Sequence, residues 1–149
     1  MSNRVARLKI ITVLYTVMIF LAIIWGGYVR GLGAGLGCGE DWPLCNGYLI
    51  PPNLFTDFFV FMEYFHRIIA FLTGWIALGA TIYILLYFRH DRKILLSLLL
   101  VDALLFTQIM IGMLVVSTRL DPVLSATHLA FATATFGASI ILTSFAFRK

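Results

Sequence analysis

The sequence predicts an all-α integral membrane protein, an up-down-up-down bundle of four transmembrane helices with both termini in the cytoplasm. Three observations predict this fold class. The 149 residues are 61% hydrophobic and only 12% charged, which is more apolar surface than a soluble domain of this size can bury. Four apolar stretches reach the ~20 residues that a helix needs to cross a bilayer. Eight of the eleven lysines and arginines lie at the same end of these stretches.

The apolar stretches define one four-helix domain of residues 1–149. In chain order, the four predicted helices span roughly residues 8–29, 58–88, 94–117 and 122–147. The connections after the second and third helices are short, and Pro122 suits the first turn of the fourth. Because short connections join antiparallel neighbours, the helices are expected to alternate in direction around the bundle.

The distribution of charge predicts which end of the bundle faces the cytoplasm. The eight clustered basic residues are Arg4, Arg7, Lys9, Arg89, Arg92, Lys93, Arg148 and Lys149. Since cytoplasmic loops of membrane proteins carry the excess of lysine and arginine, this end is expected to face the cytoplasm. The glycine-rich loop of residues 30–57 then lies on the extracytoplasmic side of the cell membrane. The net charge of +4 follows from this bias, so the expected surroundings are lipid and not nucleic acid.

Two histidines inside the predicted helices point to a ligand. His66 lies about nine residues into the second helix, ~13 Å deep, and His128 lies about seven into the fourth, ~10 Å deep. Since both helices run inward, the two imidazoles are expected at similar depth. Ionisable residues inside a membrane mark functional sites, and two imidazoles can hold one haem iron. Hydrogen bonds between helices, with close packing of the small residues that follow each histidine, would explain the same pattern.

Glu63 and Arg67 lie beside His66 on the second helix. Glu63 precedes His66 by three residues, so both share one helical face. Two interpretations remain open for this carboxylate: an i,i+4 ion pair with Arg67, or an acid that accepts protons at the edge of a bound ring. Asp102, in the third helix, has no partner that the sequence identifies.

Cys38 and Cys45 are the only cysteines, and both lie in the long external loop. On the oxidising side of a membrane a disulfide is expected, which would close the glycine-rich segment between them. A redox-active pair also remains open, although the spacing is not the Cys-x-x-Cys of thiol oxidoreductases.

Taken together, these motifs resemble the signature of haem A synthases. The matching segments are Gly27-Tyr28-Val29-Arg30, the loop sequence GCGEDWPLCNG from Gly37, Glu63-Tyr64-Phe65-His66-Arg67, Gln108 with Gly112, and His128-Leu129-Ala130. The resemblance implies an oxidoreductase that converts the C8 methyl group of haem O into a formyl group, through a hydroxymethyl group, for the assembly of terminal oxidases. The implied cofactor is haem, as the substrate haem O, as haem b, or as both. A haem O synthase is the implied supplier.

The resemblance also implies roles for seven residues. Glu63 would be the catalytic acid, and His66 and His128 would be the axial ligands of the haem iron. Arg30 and Arg67 would be partners of the haem propionates, and Cys38 and Cys45 would form the loop disulfide.

Typical members of the family have eight helices in two similar halves, with a histidine pair in each, whereas this chain has four helices. Either the chain assembles as a homo-oligomer that rebuilds both sites, or a single haem site serves. We expect the homo-oligomer, in which a second copy covers the face that a second half would cover. Two other functions remain open. A b-type membrane cytochrome would carry electrons with the same histidines, but it leaves Glu63 unexplained. A thiol oxidase of the DsbB type also has four helices, but it would need a Cys-x-x-Cys pair.

Overall fold

The computed structural model describes residues 3–149, so that only residues 1 and 2 of the predicted domain lie outside it. Its helices are α1 (Asn3–Gly31), α2 (Phe58–Tyr87), α3 (Arg92–Ser117) and α4 (Pro122–Phe147). All four are long and apolar enough to cross a membrane. The all-α prediction with four candidate spans is therefore confirmed.

The helix boundaries differ from the prediction mainly where charged residues continue a helix. α1 begins at Asn3 and α3 at Arg92, before the apolar stretches that hydropathy detects. Arginine and lysine are good helix formers, so the helices extend beyond their membrane-spanning parts.

Three of the four helices begin at an aspartate that caps their free backbone N–H groups. The carboxylates of Asp57, Asp91 and Asp121 each accept hydrogen bonds from two backbone N–H groups in the first turn of α2, α3 and α4. Such caps typically stabilise a helix by about 1 kcal/mol. Lys149 also pairs with Asp91, and this contact lowers the pKa of the Asp91 carboxyl. The pair joins the end of the chain to the start of α3.

The helices pack unevenly around the bundle. α1 packs against both α2 and α4, and α4 packs against α3, whereas α2 and α3 touch very little. Both chain termini lie at one end, here called the terminal end, because Lys149 reaches Asp91 and Tyr83 donates to the carbonyl of Arg4. The opposite end carries residues 32–57 and is called the loop end.

Most of the buried apolar core lies toward the terminal end. Its members are Leu8, Tyr15, Ile19, Ala77, Ala80, Ile84, Ile94, Leu98, Val101, Ala138, Leu142 and Ala146. Toward the loop end, the described part of α3 has no buried residue after Val101, and α4 has none before Ala132. The close-packed core therefore holds one end of the bundle, while the hairpin of α3 and α4 is open at the other.

Asp102 has two partners that the sequence did not identify. The hydroxyl of Tyr15 on α1 donates to Oδ1 at 3.0 Å, and Oγ1 of Thr81 on α2 lies 2.6 Å from Oδ2. Thr81 Oγ1 also lies 2.9 Å from the carbonyl oxygen of Ala77. A hydroxyl has one hydrogen and cannot donate to both. If Asp102 keeps its proton, it donates to Thr81, Thr81 donates to Ala77, and every group is satisfied.

A protonated Asp102 in this network predicts that asparagine can replace it. In Asp102→Asn the amide N–H₂ donates to Thr81 and the carbonyl accepts from Tyr15, so we expect thermal stability in detergent close to that of the wild type. In Asp102→Leu the buried hydroxyl of Tyr15 loses its acceptor, which costs about 1–3 kcal/mol. Thermal unfolding of the two variants side by side measures the difference. Equal destabilisation by both substitutions would show that the network needs a charged carboxylate.

Candidate haem site

His66 on α2 and His128 on α4 have matching surroundings. A Cβ atom placed on Gly26 of α1 would lie 2.9 Å from Cε1 of His66, and one on Gly112 of α3 would lie 2.9 Å from Cε1 of His128. Gly26 and Gly112 each lie five residues before the last residue of their helix. The hairpins α1–α2 and α3–α4 therefore hold an imidazole in the same way, against a glycine that leaves room for the ring.

Gly26 was missed by sequence reasoning, and Gly112 was noted only as part of a motif. No sequence signal identifies Gly26, because its equal distance from the helix end appears only once α1 is seen to end at Gly31 and not at the predicted residue 29. A Cβ on the adjacent Gly27 would have nothing within 4 Å, so a helical register was needed to tell the two glycines apart.

The imidazoles also have nitrogen atoms that no other part of the protein uses. Nδ1 of His66 and Nδ1 of His128 are buried and lack a hydrogen-bond partner within residues 3–149. Burying a polar atom without a partner costs about 1–3 kcal/mol, so these atoms set the two histidines apart from the polar groups elsewhere in the bundle that have partners. Two half-buried imidazoles, each beside a glycine, fit the axial ligation of a haem iron.

Further polar atoms surround His128. The side-chain amide nitrogen of Gln108, on α3, lies 3.2 Å from Nε2 of His128. Gln108 Oε1 and Ser125 Oγ are buried and have no partner among the described residues. Ser125 precedes His128 by three residues and shares its helical face. The unsatisfied polar atoms are thus concentrated where the two predicted ligands lie.

Glu63 is buried and bonded through both of its oxygens. Oε1 accepts hydrogen bonds from Nε and Nη2 of Arg67 at 3.2 and 2.5 Å, and Oε2 accepts one from the backbone N–H of Cys38 at 2.8 Å. The i,i+4 ion pair is therefore confirmed. Because three donors hold it, the carboxylate has a fixed position about one turn from His66, toward the loop end.

Arg67 connects this carboxylate to the external loop. Its Nη1 donates to the carbonyl oxygens of Asp41 and Leu44, both at 2.7 Å. All three nitrogens of the guanidinium group thus have partners inside the protein, and a haem propionate would have to share them. Arg30, the other predicted propionate partner, is exposed in the last turn of α1, and its side chain makes no hydrogen bond or ion pair within the described chain.

The loop lies against the first turn of α2. Cys38 and Cys45 form a disulfide, as predicted, and both are buried against Val60. A Cβ on Gly37 would lie 2.2 Å from the carbonyl oxygen of Phe59, so only glycine permits this close approach. The disulfide therefore fixes a segment that packs directly beside Glu63.

A second contact, which the sequence did not predict, joins the loop to the turn between α3 and α4. Arg119 pairs with Glu40 at 2.6 Å, and a Cβ on Gly35 would lie 3.0 Å from Leu120. Arg119 and Leu120 have positive φ angles of 54° and 66°, which bring the short turn around toward the loop. The loop thus spans the loop end of the bundle, from α2 to the α3–α4 turn.

Comparison with known proteins identifies a family for the whole arrangement. Residues 9–149 match the family model COX15-CtaA, described as cytochrome oxidase assembly protein. A protein named Heme A synthase from Exiguobacterium sp. (strain ATCC BAA-1283 / AT1b) is 30% identical over 86% of this chain and 42% of its own length. A second protein named Heme A synthase, from Exiguobacterium sibiricum, is 28% identical over 92% of this chain and 46% of its own length. A third protein of that name, from Bacillus cereus (strain AH187), is 28% identical over 94% of this chain and 44% of its own length.

The chain thus spans less than half the length of these curated relatives. No solved structure matches it. The family match covers all four helices, both histidines, Glu63 and the disulfide loop. The chain therefore belongs to the COX15-CtaA family of cytochrome oxidase assembly proteins.

Proposed function

We propose that this chain has the activity of a haem A synthase, which oxidises the C8 methyl group of haem O to a formyl group through a hydroxymethyl group. The observation that carries the proposal is the pair of imidazoles on α2 and α4, each packed against a glycine of the preceding helix. The family, and the names of the relatives, support the same activity. The product would serve the assembly of terminal oxidases, and a haem O synthase would supply the substrate.

In this proposal His66 and His128 would hold the haem iron. The bound haem would supply electron transfer, and water would be the source of oxygen. The protein side chains then hold the ring in one orientation, so that the same methyl group meets Glu63 in every turnover.

Glu63 is the proposed catalytic acid. With water as the source of oxygen, oxidation of a methyl group to a formyl group releases four protons and four electrons, so it needs an external electron acceptor as well as a proton acceptor beside the reacting edge. Arg67 and the backbone of Cys38 fix the carboxylate, and a fixed carboxylate can also stabilise positive charge that develops near it. Arg67 thereby positions Glu63, and Arg30 remains the more accessible partner for a propionate.

The proposed location is the cell membrane, as a multi-pass protein with both termini in the cytoplasm. The eight basic residues at the terminal end support this orientation. The Cys38–Cys45 disulfide at the loop end supports it independently, because disulfides persist on the oxidising side of a membrane.

We further propose that the protein works as a homo-oligomer within the lipid bilayer. The α3–α4 hairpin has no buried residue toward the loop end, between Val101 and Ala132 of the described chain. A second copy of the chain could bury this uncovered face in a symmetric interface.

Substitution of Glu63 tests the proposed activity. The chain is expressed with a source of haem O, and the extracted haems are separated by chromatography and identified by mass. The wild type is expected to yield hydroxymethyl or formyl haem, whereas Glu63→Gln retains haem O unchanged because the proton acceptor is lost. Glu40→Gln is the matched control, since it removes only an exposed ion pair of small energetic value.

Two results would contradict this assignment. Normal product from Glu63→Gln would remove Glu63 from the chemistry. Unmodified haem b as the only pigment of the wild type would favour an electron-carrying b-type cytochrome instead.

Chemical crosslinking in mild detergent tests the oligomer. We expect dimers or larger species to predominate in the active preparation, since the open hairpin needs cover, and mass spectrometry of the crosslinked peptides should place contacts on α3 or α4. A preparation that is active and contains only monomers would overturn the proposal.

A further inference from the structure

We propose that the two predicted iron ligands have different tasks: His66 stays on the iron, and His128 is the ligand that releases it, with Gln108 binding Nε2 of His128 after release. This inference rests on the proposed function, in which haem is a substrate that has to leave as product. A ring held by two imidazoles cannot leave until at least one iron–nitrogen bond breaks. The structure indicates which one breaks more easily.

The steric surroundings do not distinguish the ligands. The glycine beside each imidazole leaves the same space, with 2.9 Å from the position of a Cβ to Cε1 in both cases. Any difference between the ligands must therefore come from their polar partners and from the rigidity of the helices that carry them.

The polar partners differ. Gln108 places its amide nitrogen 3.2 Å from Nε2 of His128, whereas His66 has no side-chain hydrogen bond within residues 3–149. An amide N–H that donates to Nε2 uses the same lone pair that an iron would use. Gln108 and the iron therefore compete for His128, and the hydrogen bond to Gln108 offsets part of the loss when the iron bond breaks.

The supporting helices differ as well. The segment of α2 around His66 is held by the bonds of Glu63 and Arg67 to the loop, and the indole of Trp25 donates to the carbonyl of Met62 at 2.9 Å. Met62 and Ile69, on either side of His66, are buried. Around His128, the first ten residues of α4 include none that is buried. His66 thus lies on the rigid side of the site, and His128 lies on the open side.

The rate of haem loss tests this assignment without any measurement of catalysis. The haem-loaded full chain in detergent is mixed with excess apomyoglobin, and the transfer of haem is followed by absorbance. Gln108→Leu keeps the approximate size of the side chain but removes the competing donor, so we expect haem loss to slow by about twofold to tenfold, the range for one hydrogen bond. Thr107→Val is the matched control, because Thr107 adjoins Gln108 and its side chain bonds only to the carbonyl of Ala103 within the described chain.

A second measurement keeps the test decisive if Gln108→Leu does not fold. Haem retention is compared in His66→Ala and His128→Ala, and we expect His128→Ala to keep haem on His66 while His66→Ala loses it. Unchanged or faster haem loss in Gln108→Leu, or equal retention in the two alanine variants, would overturn the inference. Those results would leave haem binding itself intact, whereas a wild-type chain that retains no haem would overturn the proposed function too.

Discussion

The interior of a bilayer contains no water to satisfy a polar side chain, and this constraint organises the whole molecule. Asp102 meets it with Tyr15 and Thr81, and Glu63 meets it with Arg67 and the backbone of Cys38. The polar atoms that do not meet this constraint all belong to residues of the candidate site. The four buried side-chain atoms without partners in the described chain belong to His66, Gln108, Ser125 and His128. A haem held between the imidazoles would account for the concentration of these groups at one end of the bundle.

The two ends of the bundle differ in packing: the terminal end contains the close-packed core, and the loop end contains the candidate site. The close-packed core toward the terminal end, together with the Asp102 network, holds the helices together where no ligand is needed. Toward the loop end, glycines replace side chains, α3 and α4 lack buried residues, and the disulfide loop covers the helix ends. This division lets the site remain open enough for a large flat ligand while the other end keeps the helices in register.

Sequence reasoning predicted the features that depend on composition and local spacing. Four spans follow from apolar stretches, the Glu63–Arg67 pair follows from helical spacing, and the Cys38–Cys45 disulfide follows from its position in an external loop. The partners of Asp102 could not be predicted, because Tyr15 and Thr81 lie on other helices and their approach depends on how each helix is rotated. The same rotation decides that Gly26, and not Gly27, faces His66.

The role of Arg67 shows a second limit. Its charge suggested a propionate, but the fold of the loop brings the carbonyls of Asp41 and Leu44 to its guanidinium group. Contacts of a side chain with the backbone of a distant segment cannot be predicted from the order of residues in the chain. The ion pair between Arg119 and Glu40 likewise joins two segments whose proximity only the tertiary structure reveals.

The central claim is that His66 and His128 hold one haem iron against Gly26 and Gly112. The most direct measurement is the electron paramagnetic resonance spectrum of the purified, haem-loaded chain, compared between Gly26→Ala and Gly27→Ala. We expect a low-spin bis-imidazole signal in the wild type and in Gly27→Ala. In Gly26→Ala this signal should be lost or replaced by a high-spin one, because the new methyl group displaces the imidazole. An unchanged low-spin signal in Gly26→Ala, or a high-spin signal in the wild type, would contradict the claim.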